Sequence, residues 1–158
     1  MKKILSFFLC AVLLSSWFVA AFAAEGEDVI RIGSLEEFLT FAQNCRLDSY
    51  SADKSFLLTA DIDLTGVDFD GIPIFCGSFD GGYHSITGLK ITSAGSSKGL
   101  FRYVESGAVV KNLHVEADVI PTGTRTYVGG IAGTNSGILE RCSFHGNVRA
   151  SEYAGGIA

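Results

Sequence analysis

Three short segments of the chain share one pattern: Ile86-Thr87-Gly88-Leu89-Lys90-Ile91, Val110-Lys111-Asn112-Leu113-His114-Val115 and Leu139-Glu140-Arg141-Cys142-Ser143-Phe144. Each is apolar at its first, fourth and sixth places, and the segments begin 24 and 29 residues apart. A second series threads between them: Gly99-Leu100-Phe101, Gly130-Ile131-Ala132-Gly133 and Gly156-Ile157-Ala158. Self-similarity at such a period is the mark of stacked repeats, because one or two short strands cannot bury an apolar row alone. The pattern predicts parallel stacking with Ile86, Val110 and Leu139 in one column. Leu89, Leu113 and Cys142 form a second, and Ile91, Val115 and Phe144 a third. Lys90, His114 and Ser143 point outward. Glycine at the corners supplies left-handed turns and close approach of layers, which accounts for 19 Gly beside 2 Pro without disorder.

Upstream, the periodicity is mixed. Ser34-Leu35-Glu36-Glu37 is a capping box, with the Ser34 hydroxyl accepting from the Glu37 N–H and the Glu37 carboxylate reaching back to the Ser34 N–H. Leu35, Phe38, Leu39, Ala42 and Cys45 then recur at helical spacing, predicting one amphipathic helix over 34–45. Arg46 to Lys54 reads as a polar loop, so this is the one helix expected after the leader. Phe56 to Leu64 reads as a strand, with Ile62 and Leu64 on one face and Asp61 and Asp63 on the other. Ile72 and Ile74 flank Pro73, and Asp80-Gly81-Gly82 is a turn signal.

The first residues read as an export signal. Lys2 and Lys3 precede an apolar stretch from Ile4 to Phe22, and Ala21-Phe22-Ala23 offers small residues for cleavage between Ala23 and Ala24. The competing reading is a retained anchor, since the apolar run approaches the length that spans a bilayer. The acidic Glu25, Glu27 and Asp28 beyond the site favour cleavage. The expected layout is a signal peptide over 1–23 and one domain over 24–158, with the helix at 34–45, strands at 56–75 and repeats at 77–158. Losing Lys2 and Lys3 takes the formal charge from −5 to −7. An acidic mature chain argues against nucleic acid and anionic membranes as partners. The mature chain is expected to be secreted or extracellular and not membrane-spanning. It ends inside Tyr153-Ala154-Gly155-Gly156-Ile157-Ala158, part-way through a repeat, so the reading is of a solenoid truncated at its C-terminus.

Few residues suggest chemistry. Asp61, Asp63, Asp68 and Asp70 form the densest carboxylate cluster and are weak calcium candidates; the alternative is a solvated strand face followed by Asx turns. Asp80 and His84 are close enough for an acid/base pair, but Asp80-Gly81 is fully explained as a turn. His114 and His145 are not equivalent positions and read as outward surface residues. Cys45 and Cys76 are a candidate disulfide, with small buried hydrophobes as the alternative. Tyr50, Tyr83, Tyr103, Tyr127 and Tyr153 are candidates for stacking on a sugar or for packing. No G-x-S-x-G elbow, H-E-x-x-H pair, paired C-x-x-C or phosphate loop occurs, and no catalytic residue or cofactor is expected.

Tyr127-Val128-Gly129-Gly130-Ile131-Ala132-Gly133, followed by Asn135, Gly137-Ile138 and Cys142, resembles the GLUG motif of bacterial secreted and cell-surface proteins. Leu57 to Leu64 and Gly77 to Ile86 are similar to the segment that precedes such repeats, so the resemblance spans nearly all of the mature chain. Gly99-Leu100-Phe101-Arg102 departs from it, lacking a closing glycine. The resemblance implies an all-β, right-handed parallel β-helix or solenoid with a capping α-helix, acting as an adhesin-like binding scaffold. The expected partner is an extracellular ligand, a glycan or a host glycoprotein. Related repeats also occur in immunoglobulin A-cleaving metallopeptidases, so the alternative is the N-terminal part of such an enzyme or of a β-helix polysaccharide-active one.

Overall fold

The computed structural model describes residues 28–124 and 126–158; the segment expected to be an export signal and the expected Ala23/Ala24 cleavage position lie outside them. The described chain opens with β1 (Val29–Ile32), α1 (Leu35–Asn44) and α2 (Asp48–Ser51). A first circuit follows in β2 (Ser55–Leu58), β3 (Ile62–Asp63) and β4 (Ile72–Phe75), and a second in β5 (Ser78–Asp80), β6 (Ser85–Ile91) and β7 (Phe101–Val104). The third comprises β8 (Val109–Lys111), β9 (His114–Val119), β10 (Val128–Gly129) and β11 (Ala132–Asn135). Then come β12 (Ile138–Glu140), β13 (Ser143–Val148) and β14 (Ala154–Gly155).

The fold is mostly β-strand and β-helix-like, and every strand pairing among the described residues is parallel. Three main sheets run β1-β2-β5-β8-β12, β3-β6-β9-β13 and β4-β7-β11, with β10-β14 as a short fourth. Each circuit therefore visits the main sheets in the same order. Ser55 faces Ser78, Ser78 faces Val109 and Val109 faces Ile138, so successive circuits take 23, 31 and 29 residues. The longer circuits place their extra residues in the loops before β7 and β10. The core is built mainly of apolar side chains, with Phe56, Phe75, Phe79, Phe101, Ile62, Ile72 and Ile86 fully buried, and Ser51, Ser97, Lys98 and Asn112 are buried with it.

Two of the predicted columns are present, with Val110 beside Leu139 and Val115 beside Phe144. The segment at 86–91 is out of step with them. Ile86 pairs with Val115 rather than standing over Val110, Leu89 pairs with Ala117, and Ile91 with Val119; Phe79 is the residue beside Val110. One spacing arises here from two geometries. In 110–115 the intervening residues turn a corner between β8 and β9, with Asn112 at φ 53°. In 86–91 they bulge within a single strand, and the register shifts between Ile86 and Leu89. Gly88, at φ +70°, supplies that bulge, where an added Cβ would collide with Thr65 Oγ1. Nor are the corners uniformly glycine: Tyr83, Asn112 and Arg141 adopt φ of 63°, 53° and 50° on successive circuits.

The predicted strand over 56–64 is two strands in different sheets. The break follows Leu58, where Thr59 donates its N–H to the Ile32 carbonyl at 2.8 Å. Ile62 and Leu64 are buried and Asp61 and Asp63 exposed, as their alternation required. β1 was not foreseen; it extends the first sheet by pairing Val29–Ile32 with Ser55–Leu58. The loop expected at 46–54 contains the short α2. The Asp80-Gly81-Gly82 turn joins two sheets, since β5 and β6 do not pair with each other.

Helix α1 closes one end of the core. Its N-cap Ser34 accepts from the Glu37 N–H at 3.2 Å, while the Glu37 carboxylate reaches the Gly33 N–H at 2.7 Å, one residue before its expected target. Phe38 and Phe41 are buried beneath it. The Phe41 ring lies 4.7 Å from Phe56, 6.1 Å from Phe75 and 5.6 Å from Phe79, so one side chain meets three strands. Among the described residues no helix is long and apolar enough to cross a membrane.

Candidate functional site

An open groove of about 570 Å³ lies between α1, the loop leading to β4, and β7. That volume falls within the range of small-ligand pockets. Leu39 and Pro73, both half-buried, form its apolar floor, and Gln43, Arg46, Asp68 and Arg102 supply polar groups around it. Gln43 is near the end of α1, and Arg46 follows its C-cap Cys45. Asp68 comes from the β3–β4 loop. Arg102 sits on β7, the neighbour of β4, and its Nε donates to the Ser97 carbonyl at 3.4 Å. The side chains of Gln43, Arg46 and Asp68 form no hydrogen bond or ion pair with other described residues.

Beside the groove, Asp70 is already committed. The Lys98 ammonium lies 2.6 Å and 2.7 Å from its two carboxylate oxygens, and Ser93 Oγ donates to it as well. Burial pushes the Asp70 carboxyl upward, but the bonds from Lys98 and Ser93 and the charges of Lys98 and Arg102 outweigh it, leaving the group below its usual range.

The four aspartates proposed for calcium are not brought together. Asp61 accepts from the Ser85 N–H at 2.8 Å and lies 3.2 Å from His84 Nδ1; the Ser85 bond, more than His84, lowers its carboxyl. Asp63 closes an Asx turn by accepting from the Thr65 N–H at 2.9 Å. Asp68 faces the groove and Asp70 faces Lys98. Among the described residues no group of three or more His, Cys, Asp or Glu side chains converges as a metal site.

Asp80 and His84 are not partners. Asp80 Oδ1 accepts from the Gly82 N–H and the Asn112 side chain, both at 2.9 Å, while Lys111 Nζ stands 3.5 Å from Oδ2. His84 turns instead toward Asp61. His114 and His145 are separate, with His114 on Ser143 at 2.8 Å and His145 in register with Glu116.

Cys45 and Cys76 both approach Ser51, but they are free thiols, so the candidate disulfide is not formed. Burial, reinforced by Cys76, pushes the Cys45 thiol up to about 12. Cys142 is also free. Of the tyrosines, Tyr127 and Tyr153 stack on each other at 5.2 Å with nearly parallel rings, and Tyr83 is the most exposed. Tyr50 packs on Phe56 and carries Lys54 Nζ 4.6 Å above its ring.

Sequence reasoning missed the groove. Arg46 and Arg102 are 56 positions apart in the chain, and no local pattern joins them. The available signal was Arg46 itself, a cation just past a helix that packs over the first circuit.

No family model matches the chain, and no solved structure matches it. It is similar to a segment of halomucin from Haloquadratum walsbyi, 30% identical over 126 residues, which covers 69% of this chain and 1% of halomucin.

Proposed function

We propose that the chain is a secreted or cell-surface binding scaffold, non-enzymatic, built as a right-handed parallel β-solenoid of the GLUG-like kind. The handedness rests on physics: each circuit returns to the same sheet by a parallel crossover, and such crossovers are right-handed in about 98% of cases. The carrying observation is the ordered outer face of the sheet β3-β6-β9-β13. There Lys90, Asp118 and Asn147 lie side by side in register, and Asn147 Nδ2 donates to Asp118 Oδ1 at 2.7 Å. His114 and Ser143 form a parallel row. Lys111 belongs to a different sheet and faces Asp80. Such rows give a stiff surface on which weak contacts add. The likeness to halomucin supports an extracellular setting.

The test is binding of the purified exported chain to cells, glycan arrays and glycoproteins. Binding to one of these, without turnover of the target, is the expected result. Failure to bind any of them sinks the proposal.

A further inference from the structure

We infer that the groove between α1 and β7 is a recognition site for a saccharide bearing one carboxylate, a sialic acid or a uronic acid. The inference rests on the binding-scaffold reading and names its ligand.

Charge decides between anion classes. Arg46 and Arg102 are the cations of the groove, and Asp68 is its free anion, because Asp70 is neutralised by Lys98. The local balance is therefore one net positive charge on a chain whose total is −5. A dianion such as a phosphate monoester, or a run of sulfates, would be repelled by Asp68. A single carboxylate is matched. Guanidinium groups bind carboxylates through two parallel N–H···O bonds; among the described residues Arg102 hydrogen-bonds through Nε, to Ser97, and rests beside the Tyr103 ring, which leaves its terminal nitrogens available.

The remaining groups suit the rest of a sugar ring. Asp68 can accept from hydroxyls, and the Gln43 amide can both donate and accept. The half-buried Leu39 and Pro73 offer a floor for the C–H face of the ring. Among the described residues the side chains of Gln43, Arg46 and Asp68 have no hydrogen-bond or ion-pair partner, so binding through them breaks no such internal bond. An open groove fits a terminal or side-chain residue of a longer glycan.

Titration of the purified exported chain with sialyllactose, with a glucuronate oligosaccharide and with neutral lactose tests this. One acidic probe is expected to bind and lactose to bind at least about tenfold more weakly, with affinity falling as salt is raised. Arg102→Lys, which keeps the charge but not the fork, and Arg46→Ala are each expected to weaken binding about tenfold or more. Both variants must show unchanged unfolding midpoints, and Arg31→Ala, an exposed cation on β1 outside the lining of the groove, serves as the control. Which acidic probe binds identifies the source. If the chain binds cells or glycoproteins but neither acidic sugar displaces it and the arginine variants behave as wild type, the site is wrong and the scaffold reading stands. Equal binding of lactose removes the acidic specificity. Binding of nothing at all overturns both.

Discussion

Lys98 and Asp70 form an ion pair whose two ends sit in different media: the lysine side chain is 3% exposed and the aspartate 47%. The pair ties the loop before β7 to the loop before β4, and Ser93 completes it by accepting from Lys98 at 2.8 Å.

That asymmetry fixes which half is dispensable. Lys98→Met removes the charge that was costly to bury and leaves a carboxylate that water can solvate. It is expected to cost about 1 kcal/mol or less. Asp70→Asn strands an ammonium in the interior, at about 3 kcal/mol. Urea unfolding of both proteins compares them directly; equal losses, or the reverse order, would show that the pair behaves as a surface bridge.

Acid should loosen the fold through carboxylates held below their usual range. At Asp80, burial acts upward, and the bonds from Asn112 and Gly82 with the Lys111 charge overcome it. At Asp70 the partners are Lys98, Ser93 and Arg102. A carboxyl lowered in the folded state binds fewer protons there than in the unfolded chain. Its contribution is present above the ordinary value of 3.8 and is lost as pH falls through the folded value. Urea midpoints measured between about pH 7 and pH 3 should be flat at first and fall steeply at the acid end. Asp80→Asn should reduce that slope. An unchanged slope would assign the acid sensitivity to other groups.

Two glycines separate steric from conformational demand. Gly130 faces the Phe144 ring and the Gly156 carbonyl so closely that an added Cβ collides with both. Gly107 has open space around it but sits at φ +86°. Gly107→Ala should cost about 1 kcal/mol, and Gly107→Asn less, because asparagine tolerates the left-handed region. Gly130→Ala should cost about 2 kcal/mol or more, with Gly130→Asn worse still. Thermal unfolding of the four variants reads this out. Rescue of Gly130 by asparagine would mean that its backbone conformation, not the neighbouring layer, demands glycine.

The repeat was legible because its physics is local. Alternation put Ile62 and Leu64 inside, and the Gly130-Ile131-Ala132 and Gly156-Ile157-Ala158 segments do stack, with Ile131 and Ala132 both donating to the Ile157 carbonyl. What failed was register. A corner at Asn112 and a bulge at Gly88 write the same apolar spacing, and only the pairing partner distinguishes them. β1 was lost because a run of four residues carries little periodic information. The groove was illegible for a third reason, since it depends on how far α1 leans over β4 and β7, which no single segment encodes.

Helix α1 gives the sharpest test of how the end of the core is sealed. Phe41 touches rings from β2, β4 and β5 at once, so its removal opens a cavity that no one strand can close by shifting. Phe41→Ala is expected to cost about 3–5 kcal/mol. Phe144, half-buried in β13 with a neighbouring strand on one side, should lose clearly less when truncated, since water already meets part of its ring. Ser34→Ala removes only the cap bond to the Glu37 N–H and should cost about 1 kcal/mol. If the helix acts as a lid on the stack, Phe41→Ala also accelerates hydrogen exchange in β2 and β5 while β9 keeps its protection. Uniform acceleration through β9 would instead show that the circuits unfold as one unit and that the helix is no separate cap.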